Sequence, residues 1–512
     1  MPLKQSLQLQ DLGFLINMTA VFINPQLIVQ KNDKFTTGIV YMPITLAYVI
    51  AHFKKNNIKT KLFDLYGQNP KKCNLSGNSL IFGDSIENID HQSLSEAKCF
   101  FINANQIANH NSILNIINFL KAKYTSTPIA ILENSQAVTA YSLSKVKNEF
   151  LKLGCKFIII GDLEKVTLEV YNNLENLDYL RGINGIITKN FYNEKINFLE
   201  KIDDLSFPSW EDFPLENYWN LGYSHGPLSD KKYLPILSSR GCPYPCNFCV
   251  VPKTNERRWR ARSAKNVVDE MEYYKRKFGV KEFHFEDLNP TVNDKRTKEL
   301  CELIIDRQIN IRWKIVAGTK VESIKNDQTV ELLKKSGCNY ISISPESGSK
   351  ELMKEIAKPF DYDHALRIVK KMNKCKIFSQ ACFIIGYPEE KAIDLRKTKK
   401  MILDLTIRGI DEIAVFIITP IPGSNIYEKF NGFDSFSKLT FTPTWRKDYK
   451  KLYKERLIMY LIFLFAKFIF HPLKIFRQIS NFFKKKFETK MEMVPYKVLR
   501  IKSFENAKKF KN

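Results

Sequence analysis

Between Thr19 and Lys189 short apolar runs alternate with longer amphipathic stretches. The runs Ala20-Val21-Phe22-Ile23-Asn24, Lys61-Leu62-Phe63-Asp64, Phe100-Phe101-Ile102-Asn103, Ile129-Ala130-Ile131-Leu132 and Phe157-Ile158-Ile159-Ile160-Gly161 are each bounded by polar or turn residues, as strands are. Leu46 to Phe53 has helical spacing instead. Strands separated by helices predict βαβ units and a doubly wound parallel sheet of flavodoxin or Rossmann type. Such sheets bind ligands at the carboxyl ends of their strands. From Leu234 to Phe430 six further strand-then-helix units follow, beginning at Tyr233-Leu234-Pro235-Ile236-Leu237 and ending at Val415-Phe416-Ile417-Ile418. Six units make a partial (β/α)6 barrel, open on one side. After Phe430 the pattern turns helical and basic. The chain is therefore read as α/β, with an N-terminal domain at 18–190, a linker at 191–232, a barrel at 233–432 and a helical tail at 433–512.

Composition narrows the class. Of 512 residues, 44% are hydrophobic, enough for sizeable cores. Met1-Pro2-Leu3-Lys4-Gln5 is not followed by the apolar run of a secretory signal, so a cytoplasmic location is expected. In that compartment the ten cysteines are thiols. Net charge is +25, and residues 446–512 carry 19 Lys and Arg against 5 Asp and Glu. More than half of the excess thus sits in the tail, which argues for a local basic device and against a chain-wide nucleic-acid surface.

The chemistry concentrates in Ser239-Arg240-Gly241-Cys242-Pro243-Tyr244-Pro245-Cys246-Asn247-Phe248-Cys249, a C-x3-C-x2-C loop directly after an apolar strand. Zinc sites want four ligands, commonly in paired motifs, and no second cysteine pair follows. Three closely spaced cysteines cannot all pair as disulfides. Iron–sulfur clusters are ligated by thiolates, usually four, so a three-cysteine loop leaves one iron open. At this point the sequence resembles the radical S-adenosylmethionine (SAM) superfamily, and specifically its cobalamin-binding-domain branch. The resemblance implies Cys242, Cys246 and Cys249 as ligands of a 4Fe-4S cluster, with SAM on the open iron. It implies reductive cleavage of SAM to a 5′-deoxyadenosyl radical. Phe248, the aromatic residue before the third cysteine, belongs to the same pattern.

Behind this loop the family's motifs follow in order. Arg257-Arg258-Trp259-Arg260-Ala261-Arg262-Ser263 precedes the first barrel helix, for which Ser263 is the expected N-cap, and its arginines either offset cluster charge or form a solvated face. The strand Glu282-Phe283-His284-Phe285-Glu286-Asp287 ends in two carboxylates. Family position makes Glu286 and Asp287 the candidates for SAM's amino group, only one of them directly, since neighbours on a strand face opposite sides. In Tyr340-Ile341-Ser342-Ile343-Ser344-Pro345-Glu346-Ser347-Gly348-Ser349, Ser344-Pro345 replaces the family's Gly-Ile. By resemblance Glu346 contacts the SAM ribose or its polar neighbours, Ser344 is a cofactor-binding candidate beside it, and Lys358 falls where the family often has a lysine. In Cys382-Phe383-Ile384-Ile385-Gly386, Ile384 and Gly386 correspond to the adenine site, and Cys382 replaces a glycine. Thr419-Pro420-Ile421-Pro422-Gly423-Ser424 matches the branch's sixth-strand ending. Cys301, Cys338 and Cys375 read as buried small apolar residues.

The N-terminal region resembles the branch's cobalamin-binding domain more loosely. Ile23-Asn24-Pro25, Pro43 to Tyr48, Lys61-Leu62-Phe63-Asp64, Gly161-Asp162-Leu163-Glu164 and the linker Asp204 to Trp210 carry the match. Two departures leave cobalamin open. The Asp-x-His-x-x-Gly signature is absent, and Ile131-Leu132-Glu133-Asn134-Ser135-Gln136 stands where a Gly-Gly pair usually lets backbone approach the cofactor. His52, His91 and His110 read as ordinary residues rather than cobalt ligands.

In the tail, Leu457 to Phe470 is strongly apolar but short of a bilayer span, and basic clusters flank it. Two readings follow: an interfacial helix in peripheral contact with the inner face of the cell membrane through 447–486, or helices that close the barrel's open side. The expected function is a radical SAM enzyme performing cobalamin-dependent methylation or another C–H modification on a small-molecule or lipid-like substrate. An external one-electron reductant of flavodoxin or ferredoxin type would serve it, and no nucleic-acid partner is expected. Two alternatives remain at this point. A transfer-RNA methylthiotransferase would need a second cluster, for which Cys73, Cys99 and Cys155 lack the surroundings. A non-catalytic iron–sulfur protein would leave the SAM motifs unexplained.

Overall fold

The computed structural model describes residues 19–31, 33 and 38–509. The leading Met1 to Gln5 stretch and the last three residues of the basic tail lie outside the described residues.

Five parallel strands form the first sheet: β1 (Thr19–Asn24), β2 (Thr60–Asp64), β3 (Ala97–Ala104), β4 (Ile129–Glu133) and β5 (Phe157–Ile159), in the order β2-β1-β3-β4-β5. Two short antiparallel strands, Ile186–Ile187 and Tyr192–Asn193, extend its edge. β1, β4 and β5 are buried throughout, as expected of parallel strands covered on both faces. This is the flavodoxin-like order, whose switch point lies between β1 and β3. Helix α1 (Ile44–Lys55) covers one face, with nine of its twelve residues buried. A three-stranded antiparallel sheet, Leu27–Gln30, Ser79–Phe82 and Cys73–Ser76, stands beside the domain; periodicity did not separate it from the βαβ repeats.

The second sheet contains β6 (Tyr233–Ile236), β7 (Glu282–Phe285), β8 (Arg312–Thr319), β9 (Cys338–Glu346), β10 (Phe378–Ile385) and β11 (Glu412–Ile417). All six pair in parallel in chain order, so β6 and β11 are free edges of an unclosed barrel. The expected first barrel helix is α2 (Ala264–Phe278), where Ser263 Oγ accepts from Asn266 N at 3.1 Å.

The tail closes the side that β11 leaves open. Helix α3 (Tyr449–Phe470) lays Met459 and Phe463, both fully buried, against the barrel, and Tyr460 Oη accepts from the edge amide of Val415 at 3.2 Å. Helix α4 (Pro472–Lys484) turns back at 110° to α3. Helix α5 (Lys490–Lys509) contains Pro495, and its Met491 N donates to Glu412 Oε2 at 2.8 Å. Among the described residues no single helix is long and apolar enough to cross a membrane, although α3 and α4 together pass that test as a bent pair.

Candidate functional site

β6 carries the chain into the cysteine loop. A two-residue ribbon, Ser239–Arg240 against Arg260–Ala261, holds the loop's base and sets Arg240 beside Arg260. Gly241 follows at φ +76, and a Cβ there would lie 2.0 Å from the carbonyl oxygen of Arg258, so only glycine makes this turn. Beyond it the loop is tied to two segments through the backbone of one residue: Asn247 N donates to Ile356 O at 3.1 Å, and Asn247 O accepts from Asn425 N at 2.9 Å. Phe248 packs edge-on against Tyr387, with ring centroids 5.6 Å apart.

Cys242, Cys246 and Cys249 all line one cavity of about 530 Å³. Burial pushes the Cys242 thiol up to about 11 and the Cys249 thiol to about 12, and raises Cys246 as well. Thiols so placed ionise only when something cationic draws off their protons, as iron does. They do not converge on a point. Among the described residues no three His, Cys, Asp or Glu side chains sit close enough to share one ion. Three thiolates on three separate irons have no such requirement.

The cavity also takes in Ser344, Glu346 and Lys358. Glu346 ends β9 at φ +59, a strained value for a side-chain-bearing residue, and accepts a hydrogen bond from the buried Lys358 Nζ. Burial opposes charge on Lys358, but Glu346 and Cys246 more than offset that and hold its ammonium above the ordinary lysine range. A fixed positive charge therefore faces the cysteines.

Of the residues singled out in the sequence, Phe248, Ser344, Glu346 and Ile384 line this cavity together with the three cysteines. Three others lie elsewhere. Asp287 is fully buried and accepts from Ser238 N at 3.0 Å, Ser238 Oγ at 2.7 Å and Ser239 Oγ at 2.6 Å, so it braces the strand leading into the cysteine loop. Glu286 is bound to His225 Nδ1 at 2.6 Å and lines a smaller neighbouring pocket. Gly386 meets the tail: Arg446 Nη2 donates to its carbonyl at 3.0 Å, and a Cβ would lie 2.6 Å from Leu452. The tail occupies space that the barrel strands alone would leave open. His52, His91 and His110 line neither pocket; His110 is buried against Tyr141 and Glu149. Cys301 and Cys338 are buried as expected, whereas Cys375 is half-buried.

Several contributors carry no motif. Tyr460 and Leu464 of α3, and Lys490, Met491, Met493 and Lys497 of α5, complete the cavity wall. Gln136 of the N-terminal domain accepts from Gly241 N at 3.0 Å and donates to Asn255 Oδ1 at 3.1 Å, and Asn255 Nδ2 donates to Ser135 O at 2.9 Å. Of the segment that replaces the glycine pair after β4, the Gln136 side chain thus reaches the cysteine loop, while Asn134 Nδ2 donates to Asn105 O. Asp162 and Glu164, in the segment resembling Gly-Glu-x-Glu, clamp arginines instead: Arg240 Nη1 donates to Asp162 Oδ1 at 3.0 Å and Nη2 to Glu164 Oε1 at 2.5 Å, while Arg260 also binds Asp162. Arg262 is buried on Glu270 and on the carbonyl of Leu237. Arg260 and Arg262 therefore join elements rather than forming a solvated face; Arg258, 60% exposed at its side chain, does lie at the surface. No spacing rule reveals these pairings, because their partners lie up to 120 residues away.

The donors suit the implied groups. Three cysteines on one loop, Cys246 buried and Cys242 and Cys249 half-buried, with a lysine counter-charge fit an iron–sulfur cluster with an open corner. The Glu346–Lys358 pair offers both signs of charge to a zwitterionic, polar ligand such as SAM. For a planar cofactor, the same cavity runs on to Ile39 and Val138 of the N-terminal domain, an apolar wall beside the β1–β3 switch point. In the smaller neighbouring pocket, which shares Val138 with this cavity, Asn103 Nδ2 and Asn105 Nδ2 both donate to Asn24 Oδ1, at 3.0 and 3.2 Å, and among the described residues the buried Asn103 Oδ1 has no hydrogen-bond partner. This orphaned acceptor and the adjoining apolar wall fit a cobalamin seated against the domain.

Comparison with known proteins agrees with this geometry. Residues 236–402 match the model of the radical SAM superfamily. An uncharacterized methyltransferase of Pyrococcus horikoshii is 27% identical over 296 residues, covering 57% of this chain and 60% of that protein. The chain thus spans less than two-thirds of that relative's length. Among solved structures, the radical SAM methyltransferase TsrM of Kitasatospora setae, determined with cobalamin and a 4Fe-4S cluster, superposes with a TM-score of 0.58 at 15% identity, over 81% of this chain and 74% of its own. The cobalamin-dependent radical enzyme OxsB, determined with aqua-cobalamin and SAM, gives 0.59 at 18% identity, over 88% and 57%. These likenesses establish a shared α/β fold. The three-cysteine loop, the six-stranded open barrel and the matched residues together show that this chain carries a radical SAM domain.

Proposed function

We propose that the chain is a radical SAM enzyme of the cobalamin-dependent methyltransferase type, acting on a small-molecule or lipid-like substrate. The observation that carries this reading is that Cys242, Cys246, Cys249, Glu346 and Lys358 line one cavity. The methyltransferase relative and the cobalamin-holding structures support it. When bound, the cluster and SAM would supply a carbon-centred oxidant able to attack an unactivated C–H bond, and cobalamin would supply the methyl group.

This chain's residues position and shield that chemistry. The cysteines would hold three irons, and Phe248 covers the loop. The Glu346–Lys358 pair and Ser344 would hold SAM's polar groups, and Ile384 the base. Ile39 and Val138 would back the cobalamin. Tyr460, Met491 and Met493 from the tail would wall off water, which quenches radicals. An external one-electron reductant of flavodoxin or ferredoxin type would complete the reaction. The exposed apolar residues of α3 and α4 and the exposed lysines beside them support peripheral membrane contact through 447–486. The methylthiotransferase alternative is not better supported than this reading; Cys73, Cys99 and Cys155 are buried in the N-terminal region.

The test is anaerobic reconstitution of the wild type and of Cys246→Ser, with added cobalamin and desalting before metal analysis. Wild type is expected to retain about four irons per chain, as a cubane requires, together with cobalt. It should form 5′-deoxyadenosine from SAM and dithionite, and Cys246→Ser should lose both iron and product. A fully iron-loaded wild type that forms no deoxyadenosine with any methyl-acceptor candidate would overturn the catalytic reading. Iron and product without cobalt would remove methyl transfer.

A further inference from the structure

Helix α4 is built inside out. Its buried residues are polar: Gln478 Nε2 donates to Thr489 Oγ1 at 2.8 Å, and Asn481 Nδ2 donates to Glu488 Oε2 at 2.8 Å. Its outward residues are mostly apolar, with Leu473 80%, Phe476 63% and Phe483 76% exposed, beside the exposed Arg477 and Lys484. Helix α3, which precedes it, also turns apolar residues outward: its inner face packs on the barrel, while Leu461, Phe465 and Phe468 are 65%, 70% and 60% exposed. Even the one lysine within the apolar stretch, Lys467, turns inward, where its Nζ binds Asp411 O and Gln478 Oε1. A sequence facing water on this side would place these residues the other way round. Exposed aromatic and aliphatic residues gathered on two consecutive helices mark an interaction face.

Charge identifies the partner. Residues 447–486 hold eleven Lys and Arg against two Asp and Glu, a net of +9, and Lys450, Lys451, Lys454, Lys484, Lys485 and Lys486 are exposed. A second copy meeting this face symmetrically would bring the two basic rims together, which charge repulsion disfavours. An anionic bilayer complements both features: the apolar face enters the headgroup boundary, and each basic residue near the surface adds about 1 kcal/mol.

We infer that the outward face of α3 and α4 docks in-plane on an anionic lipid bilayer. The surface adjoins the site, since Leu464 is 40% exposed on this face and also lines the cavity. The cavity wall is continuous with the bilayer-facing surface, so the substrate is an amphiphile drawn from the lipid phase. This second step rests on the proposed function; the docking itself does not.

The test uses the full chain with vesicles of phosphatidylcholine alone and of phosphatidylcholine with roughly one-third phosphatidylglycerol. Flotation is expected with the anionic vesicles only, weakening as salt is raised. The variant Leu473→Ser/Phe476→Ser/Phe483→Ser, with wild-type circular dichroism and wild-type deoxyadenosine formation, is expected to bind roughly tenfold more weakly. No flotation of the folded wild type, or equal flotation of the variant, overturns the docking. A concentration-dependent dimer that the variant abolishes would assign the face to a second copy instead. Flotation without deoxyadenosine formation under any condition would leave the docking standing and sink the enzymatic reading and the amphiphile with it.

Discussion

Replacing Arg240 by methionine removes the cation that joins the N-terminal domain to the base of the cysteine loop. Arg240 is 4% exposed, donates one hydrogen bond to Asp162 and two to Glu164, and stacks 5.4 Å from the Tyr48 ring centroid. Asp162 would keep Arg260 and the amide of Leu199, at 2.7 Å, but Glu164 would lose both of its hydrogen bonds from Arg240. Breaking a buried pair from one side costs about 3–5 kcal/mol, because the remaining charge is stranded without water. In the wild type burial opposes ionisation of Asp162, but Arg240 and Arg260 outweigh it and hold the carboxyl below the ordinary aspartate range, so the stability this contributes is lost only as pH falls through that depressed value. Urea unfolding near neutral pH is the assay, with Glu164→Gln and the double variant closing a cycle. The double variant is expected to be more stable than Arg240→Met alone, because no carboxylate is then left without its partner. A loss below about 1 kcal/mol would refute the claim that this pair fixes the interface.

Two further outcomes concern the tail and the cavity. Burial depresses the Lys467 ammonium to about 8 from 10.5, so between those values the unfolded chain binds more protons and stability rises with pH; Lys467→Met is expected to remove that rise in denaturation curves taken from about pH 8 to pH 10.5. Burial raises the Glu412 carboxyl to about 7 from 4.5, so its contribution falls as pH rises through that window; Glu412→Gln, which still accepts from Tyr340 Oη, is expected to flatten the wild-type slope between about pH 4.5 and pH 7.

Local pattern carried far in this protein. The five N-terminal runs became β1 to β5, the helical spacing at Leu46 to Phe53 became α1, and Ser263 caps α2. These features depend on neighbours in sequence, and side-chain periodicity reports them directly. The cysteines are equally local, since C-x3-C-x2-C sets three thiols into one short arc whatever lies elsewhere. Where family position was used to assign a long-range role, the outcome divided. Glu346 and Ile384 face the cavity with Phe248 and Ser344, whereas Asp287 spends its carboxylate on Ser238 and Ser239, and Gly386 receives the tail. An aspartate at the end of a strand reads the same in sequence whether it points at a ligand or at its neighbour's hydroxyl.

The sequence alone determined two α/β units, their order, a three-thiol loop and a basic tail, because each rests on residue types a few positions apart. Tertiary structure decided the rest. It placed Gln136 against Gly241 across 105 residues and Arg260 against Asp162 across 98. It folded α5 into the cavity wall and turned the apolar side of α4 outward. Helical periodicity shows that a helix has an apolar face; only packing against β11 and Asp411 shows which face is left outside.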